Sequence, residues 1–541
     1  MAEERHGQDD VWDVVVVGSG FGGSVVACRA AQREKRVLVL ERGRWYRPGE
    51  FPRTPLQMAT NTWDPEAGLF GLFQLWSFRR MDAVVASGVG GGSLIYANVA
   101  MRMPEEWFAR QHRDWPLTYA DLDEHYGTVE KMLGVQALPE HLDHRVPKAA
   151  AFVRAARRAG LEPRRVPLAV SFPGPDQPLG EDVEDGENVH GVRRRTCRLC
   201  GECDLGCNEG AKNTLDLTYL SAATSRSLRQ PATIRELCEV RRVTPVGDGY
   251  EVGYVEHAPD DRMAGRVGDD RGPRARTVRA RKVVLAAGAL GSTWLLLTNH
   301  AALPALSPAL GRRFSGNGDA LGFLAADRES AVDSAGGPVI THVARAGDHL
   351  VEDGGHPVFA SWVATAAQPG LHRQGVRILA ARVRARLAGR PDSDVSAEVA
   401  RVLATARTAR STLPVLAMGL DPTTGTMRLG RHGQLRIDWP HDEGYLRGVW
   451  ATLDRIADAM GWRFRKGLSD WLSRGITAHP LGGVPMGRDR WDGVVDSYGE
   501  VYGHPGLFVA DGSVVPGPIG ANPSLTIAAL AERFATKITE D

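Results

Sequence analysis

Val14-Val15-Val16-Val17 is a run of four β-branched residues that stops at Gly18, the pattern of a short strand buried on both faces of a parallel sheet. A helix is predicted from Gly22 to about Arg33. Val37-Leu38-Val39-Leu40 then closes a compact βαβ unit whose crossover should be right-handed. A second strand, turn and helix is predicted over Val283 to Leu297, where Gly288, Gly291 and Ser292 interrupt an apolar stretch. Those interruptions leave it short of the roughly 20 apolar residues that span a bilayer. The chain between these units cannot belong to one continuous Rossmann unit, so the dinucleotide domain is expected to be assembled from separated pieces. No internal repeat is visible.

Two segments break the pattern. Glu256 to Arg276, rich in Asp, Arg and Gly, reads as an exposed loop between two strands. From Leu371 to Leu413 the chain turns to Ala, Arg and aliphatics, with Val376, Leu379, Val383 and Leu387 near helical spacing. An amphipathic helix covering the second domain is the plainer expectation. A membrane-surface or subunit-contact face is the alternative, because basic amphipathic helices serve either purpose.

Composition narrows the function classes. The chain has 541 residues with 66 Lys and Arg against 65 Asp and Glu. A formal net charge of +1 supplies no field for a polyanion, which removes nucleic acid as an expected partner. Met1 to Asp10 is polar, and Val11 to Val17 lacks the flanks of a signal peptide, so a cytoplasmic location without a transmembrane segment is expected.

Gly18-Ser19-Gly20-Phe21-Gly22-Gly23 fits G-x-G-x-x-G directly after a strand. Gly18 permits the tight turn, Gly20 admits a pyrophosphate against the backbone, and Gly23 lets helix and strand pack closely. Glu41 ends the second strand, where a carboxylate accepts hydrogen bonds from an adenosine ribose. This order of elements points to dinucleotide binding but does not separate FAD from NAD. A second cluster, Gly88-Val89-Gly90-Gly91-Gly92-Ser93, lets backbone lie against a flat or phosphorylated ligand.

With that loop the chain resembles the glucose-methanol-choline (GMC) oxidoreductases, and among them the cholesterol-oxidase-like branch. The resemblance continues through Val284 to Thr293, Gly316-Asn317-Gly318, and the segment from His479 to Glu532. It implies an α/β flavin-binding Rossmann-type domain plus an α+β substrate domain with an antiparallel sheet. The expected flavin domain is discontinuous, over 1–55, 80–105, 212–322 and 478–541; the substrate domain takes 56–79, 106–211 and 323–477. The resemblance also implies that Asn98, Val240, Ala287, Gly288, Asp511, Gly512 and Asn522 join the two glycine clusters in contacting FAD.

The same resemblance puts His479 and Asn522 at the substrate side of the flavin and gives Glu352 the place of an active-site acid. The physical demand agrees, since a hydroxyl losing hydride from its carbon must give its proton to a base within reach. The expected reaction is FAD-dependent oxidation of a bulky apolar secondary alcohol, steroids included, to a ketone by hydride transfer. Two other functions stay open: an iron–sulfur flavoprotein dehydrogenase feeding a protein acceptor, and a redox-neutral protein in which FAD is structural.

Cys197, Cys200, Cys203 and Cys207 have the C-x2-C-x2-C-x3-C spacing of a bacterial ferredoxin run, with Asn208 where ferredoxins carry proline. Contiguous spacing favours an iron–sulfur cluster over zinc, which takes two separated pairs. A loop of structural or labile thiols is the alternative. The electron acceptor therefore stays open between oxygen and an acceptor protein.

Overall fold

The structure is a computed structural model that describes residues 11–53, 57–58, 60–111, 115–183, 190, 192–258, 273–326, 332–355, 412–440, 442–466 and 475–540. Strand β1 (Val11–Val17) runs parallel to β2 (Val37–Leu40), and helix α1 (Phe21–Gln32) connects them. The expected strand, helix and strand are therefore present, the helix one residue earlier. On its other side β1 pairs in parallel with the strand Arg274–Leu285. That strand is long because it serves two neighbours. Tyr250 to Glu256 of an antiparallel strand align with Ala280 to Arg274, while Leu507 to Val509 run parallel to Val283 to Leu285. The seven-stranded sheet is completed by Thr233–Arg235 beside β2 and by Cys238–Val246 beyond Gly249–Glu256.

Helix Gly288–Thr298 follows the long strand, as its interrupted apolar pattern predicts. Helix Ser524–Ile538 is buried almost all round and packs on α1. Arg29 joins the two helices, donating through Nε and Nη2 to Glu532 at 2.7 Å each.

A second, fully antiparallel sheet of six strands runs in the order Arg463–Lys466, Ala320–Ala325, Thr412–Gly419, His349–Asp353, His342–Ala346 and Pro163–Arg165. Helices Pro147–Arg158 and Glu443–Met460 bury their apolar faces against it. Buried Lys148 reaches from the first of these helices to Asp353 Oδ2 (2.9 Å) and Val339 O (2.8 Å), fixing the strand that carries Glu352. A small third sheet pairs Gly475–Thr477 in parallel with Met81–Ala86, and its short strand leads directly into His479.

The loop read from Glu256 to Arg276 is flanked by the two strands expected of it, and 259–272 lie outside the described residues. The helix expected around Val376, Leu379, Val383 and Leu387 also falls outside them. Thr412 and Leu413, at the end of that segment, are strand. Among the described residues no helix is long and apolar enough to cross a membrane.

Candidate active site

The glycine hexad folds as its chemistry requires. Gly18 has φ +95°, and a Cβ there would stand 2.5 Å from Ala286 O. Gly23 would place one 2.1 Å from Gly18 O, so helix and strand meet only because it has none. Gly20 differs: its Cβ would meet nothing within 4 Å. No side chain caps α1, and its first turn carries no acid, so the first helical N–H groups and the space over Gly20 form an anion cradle.

Ser19 ties this turn to its surroundings. Its hydroxyl donates to Glu41 Oε2 (2.6 Å) and accepts from Gly90 N (3.0 Å). Glu41 also accepts from Ser19 N at 3.0 Å and Gly43 N at 2.9 Å, and carboxylate oxygens keep capacity for further donors. The second glycine loop lies directly on the first, since a Cβ on Gly91 would come within 2.6 Å of Gly20 Cα. Gly88, Gly90 and Gly92 belong to the same turn, which Ser93 closes by donating to Gly90 O at 2.7 Å. Val240 is buried at a β-bulge, a place where strands re-aim backbone groups toward sites. Asp511 accepts from Gly288 N (2.9 Å) and Ser292 Oγ (2.5 Å), while Ala287 N donates to Ser292 Oγ at 3.1 Å. Gly512 packs against Pro480 and Leu481, which links this cradle to the histidine segment.

Glu352, His479 and Asn522, remote in sequence, come together in space. Asn522 Nδ2 lies 3.5 Å from Glu352 Oε2, at the outer limit of a hydrogen bond. Glu352 Oε1 and Asn522 Oδ1 are buried without any partner in the protein. Buried polar atoms are rarely left so, and two beside each other mark a place for a polar ligand group. Burial pushes the Glu352 carboxyl up to about 8, against the opposing pull of His479 and Asn522. It is therefore mostly neutral at pH 7.

His479 is held by a residue that sequence reasoning did not single out. Its Nδ1 lies 2.8 Å from Asp319 Oδ1, and Asp319 Oδ2 accepts from Thr477 Oγ1 and Ala478 N at 2.9 Å each. With Nδ1–H donating to Asp319, the neutral ring presents Nε2 as an acceptor. Burial alone would lower the imidazole, but the charge and hydrogen bond of Asp319, with Glu352 beyond, raise it overall. Asn317, in the left-handed region at φ +59°, shapes the other wall: its amide accepts from Ile519 N and Gly520 N and donates to Ala521 O, fixing the loop ahead of Asn522. Asp319 directly follows the Gly316-Asn317-Gly318 motif, yet its partner is 160 residues away. No local signal announces that pairing.

A buried acid leaves a signature in stability. A carboxyl raised from 4.5 to about 8 stabilises the fold fully below pH 4.5, and that contribution is lost as pH rises toward 8. Glu352→Gln mimics the neutral form and cannot ionise. Its unfolding free energy relative to the parent should therefore climb by about 1.4 kcal/mol per pH unit across this window. Parallel stability curves from pH 4.5 to 8 would refute the buried neutral acid.

The four cysteines of the C-x2-C-x2-C-x3-C run line one cavity. Among the described residues no group of three or more His, Cys, Asp or Glu side chains could hold a metal ion, so the expected iron–sulfur cluster does not fit this site. Asn98, expected at the flavin, also lines this cavity, with both amide atoms buried and unpartnered.

Comparison with known proteins agrees with this architecture. Models described as GMC oxidoreductase match residues 185–315 and 440–531, and a NAD(P)-binding Rossmann-like domain matches 16–46. A cholesterol oxidase of Mycobacterium tuberculosis is 32% identical, with 97% of this chain and 90% of the relative covered. A cholesterol oxidase of Acinetobacter baumannii is 30% identical, covering 97% and 94%. The crystal structure of a pyridoxine 4-oxidase from Mesorbium loti superposes with a TM-score of 0.59 at 20% identity over 97% of this chain and 99% of that one, a likeness of fold. With Rossmann cradle, antiparallel second sheet and near full-length identity in agreement, the chain belongs to the GMC oxidoreductase family, flavoenzymes that bind FAD and oxidise alcohols.

Proposed function

We propose that the chain oxidises a bulky, apolar secondary alcohol, of the steroid class, to its ketone by hydride transfer. The observation that carries this reading is the buried group of Asp319-oriented His479 beside the unpartnered atoms of Glu352 and Asn522. The two glycine clusters, Glu41, Val240, Ala287, Gly288, Asp511 and Gly512 would hold FAD, whose chemistry would supply the hydride acceptor. His479 Nε2 takes the hydroxyl proton, and Asp319 stabilises the imidazolium that forms. Asn522 orients the hydroxyl through its amide. Neutral Glu352 keeps a second negative charge away from the developing alkoxide.

Apolar surroundings support the substrate class. Leu416 and Val343 stand opposite Glu352 on neighbouring strands, and the Gly520 turn lies under the ring of Trp107 and against Leu420. Such walls recover free energy from apolar surface, at roughly 25 cal/mol per Å2 removed from water. We assign the Rossmann-side segments 1–55, 80–105, 212–322 and 478–541 to cofactor binding, and 56–79, 106–211 and 323–477 to the substrate domain. Anaerobic flavin bleaching across an alcohol panel tests the reading. Sterols and other apolar ring alcohols should bleach the flavin fastest. Bleaching by polar sugars or short alcohols alone would overturn the substrate class.

A further inference from the structure

We propose that Asp421 acts through the Ser315 hydroxyl as a positioning residue, holding His479 and Asn522 in register with Glu352 for the alcohol oxidation. Asp421 is buried and lies two residues beyond the strand Thr412–Gly419, whose Leu416 stands opposite Glu352. Its Oδ1 accepts from Ser315 Oγ at 2.6 Å. Ser315 is likewise buried, and its hydroxyl in turn accepts from Asn317 N at 2.9 Å. A serine hydroxyl has one proton to donate and rotates to suit whatever acceptor it finds. Asp421 therefore fixes the rotamer from which the oxygen reaches Asn317.

Residues 315–319 hold the segments of both catalytic side chains. Ser315 exchanges backbone hydrogen bonds with Leu481, at 3.0 and 2.9 Å, two residues past His479. Thr477 Oγ1, already bonded to Asp319, lies 3.1 Å from Gly316 O. On the other side the Asn317 amide accepts from Ile519 N (2.9 Å) and Gly520 N (2.8 Å) and donates to Ala521 O (2.9 Å), immediately before Asn522. Gly419 N donates to Asn317 O at 3.1 Å, which sets the turn against the strand beside that of Glu352. Trp439 closes over the turn, since a Cβ on Gly316 would collide with its indole. One short turn thus ties the histidine, the orienting amide and the sheet that carries the acid.

A buried carboxyl is a costly means of fixing a serine if stability were all it served. Burial, with Asp319 close by, pushes the Asp421 carboxyl up to about 7, against the opposing bond from Ser315. Its oxygen accepts a hydrogen bond in either protonation state. The role asked of Asp421 is that acceptance, which an asparagine amide oxygen also supplies. Placement of reacting groups matters steeply, because a shift of about 1 Å caused by a change away from the chemistry can cost about 10²-fold in rate.

The rate effect rests on the proposed alcohol oxidation, whereas the hydrogen-bonded turn does not, so two readouts keep them apart. In the FAD-loaded enzyme, Ser315→Ala and Asp421→Ala should each lower the limiting rate of anaerobic flavin reduction by about 10²-fold, with half-saturation changed far less. Asp421→Asn should recover most of that rate, because its amide oxygen accepts from Ser315. In a chain carrying His479→Ala and Asn522→Ala, Asp421→Ala should add no further loss, as residues acting through the same groups couple. Amide hydrogen exchange without substrate reads the turn itself. The Asn317, Ile519 and Gly520 amides should exchange about tenfold faster in Asp421→Ala and Ser315→Ala, the protection that one hydrogen bond confers. If Asp421→Ala does not fold, Ser315→Ala carries both readouts. Flavin reduction at the parent rate in Ser315→Ala, full additivity with the double variant, or an Asp421→Asn as slow as Asp421→Ala overturns the positioning role. If no alcohol bleaches the flavin of any form, alcohol oxidation fails, and the exchange rates still decide whether Asp421 holds the turn: unchanged protection overturns it.

Discussion

Gly20→Val should give a folded chain that purifies without FAD. Gly20 has φ −72° and ψ −167°, an extended conformation open to any residue, and its Cβ would meet nothing within 4 Å. Neighbouring glycines offer no such test. A Cβ on Gly22 would lie 1.6 Å from Ala510 O, and one on Gly18 would collide with Ala286 O from a left-handed backbone, so those variants break the fold itself. At Gly20 the branched side chain instead fills the cradle over the α1 N-terminus, where a pyrophosphate needs bare backbone. FAD affinity should fall by roughly 100-fold or more, about 3 kcal/mol. The variant should melt where the FAD-free parent melts, because it loses only the stabilisation that a bound ligand confers. Stoichiometric flavin absorbance in folded Gly20→Val would remove this cradle from cofactor binding.

The parts that sequence made legible are those whose chemistry is local. The βαβ unit follows from β-branched runs and glycine spacing over Val14 to Leu40, and Val14 to Val17 and Val37 to Leu40 are all buried. His479, Asn522 and Glu352 were found through resemblance, and the structure brings Glu352 and Asn522 to 3.5 Å. Asp319 has no local signature because a buried acid becomes meaningful only through its partner, here a histidine in the loop after the strand Gly475–Thr477. Arg53, donating to Glu202, and Asn208, accepting from Phe51, show the same limit: their staples cross about 150 residues of chain, so composition and spacing could not suggest them.

His479→Ala should slow anaerobic flavin reduction by about 10²–10⁴-fold, the usual contribution of a positioned acid or base. FAD content should stay unchanged, since the ring bonds to Asp319 and to no group of the glycine cradle. The fall should appear in the limiting rate more than in substrate affinity, because the proton moves in the transition state. Asn522→Ala should show a smaller defect, and the double variant a less than additive one, as residues acting on one hydroxyl couple. The pH profile separates the two groups that could accept the proton. His479 works as a base only when neutral, and Asp319 raises it above its ordinary 6.5, so kcat/KM should rise with pH through a limb above that value. Asp319→Asn removes the charge that raises the imidazole, so the limb should move to lower pH while the limiting rate falls. Glu352 titrates about 8 and does not depend on Asp319 for its main shift, which is burial. A limb that stays near 8 in Asp319→Asn, together with flavin reduction at the wild-type rate in His479→Ala, would transfer the base from the histidine to Glu352.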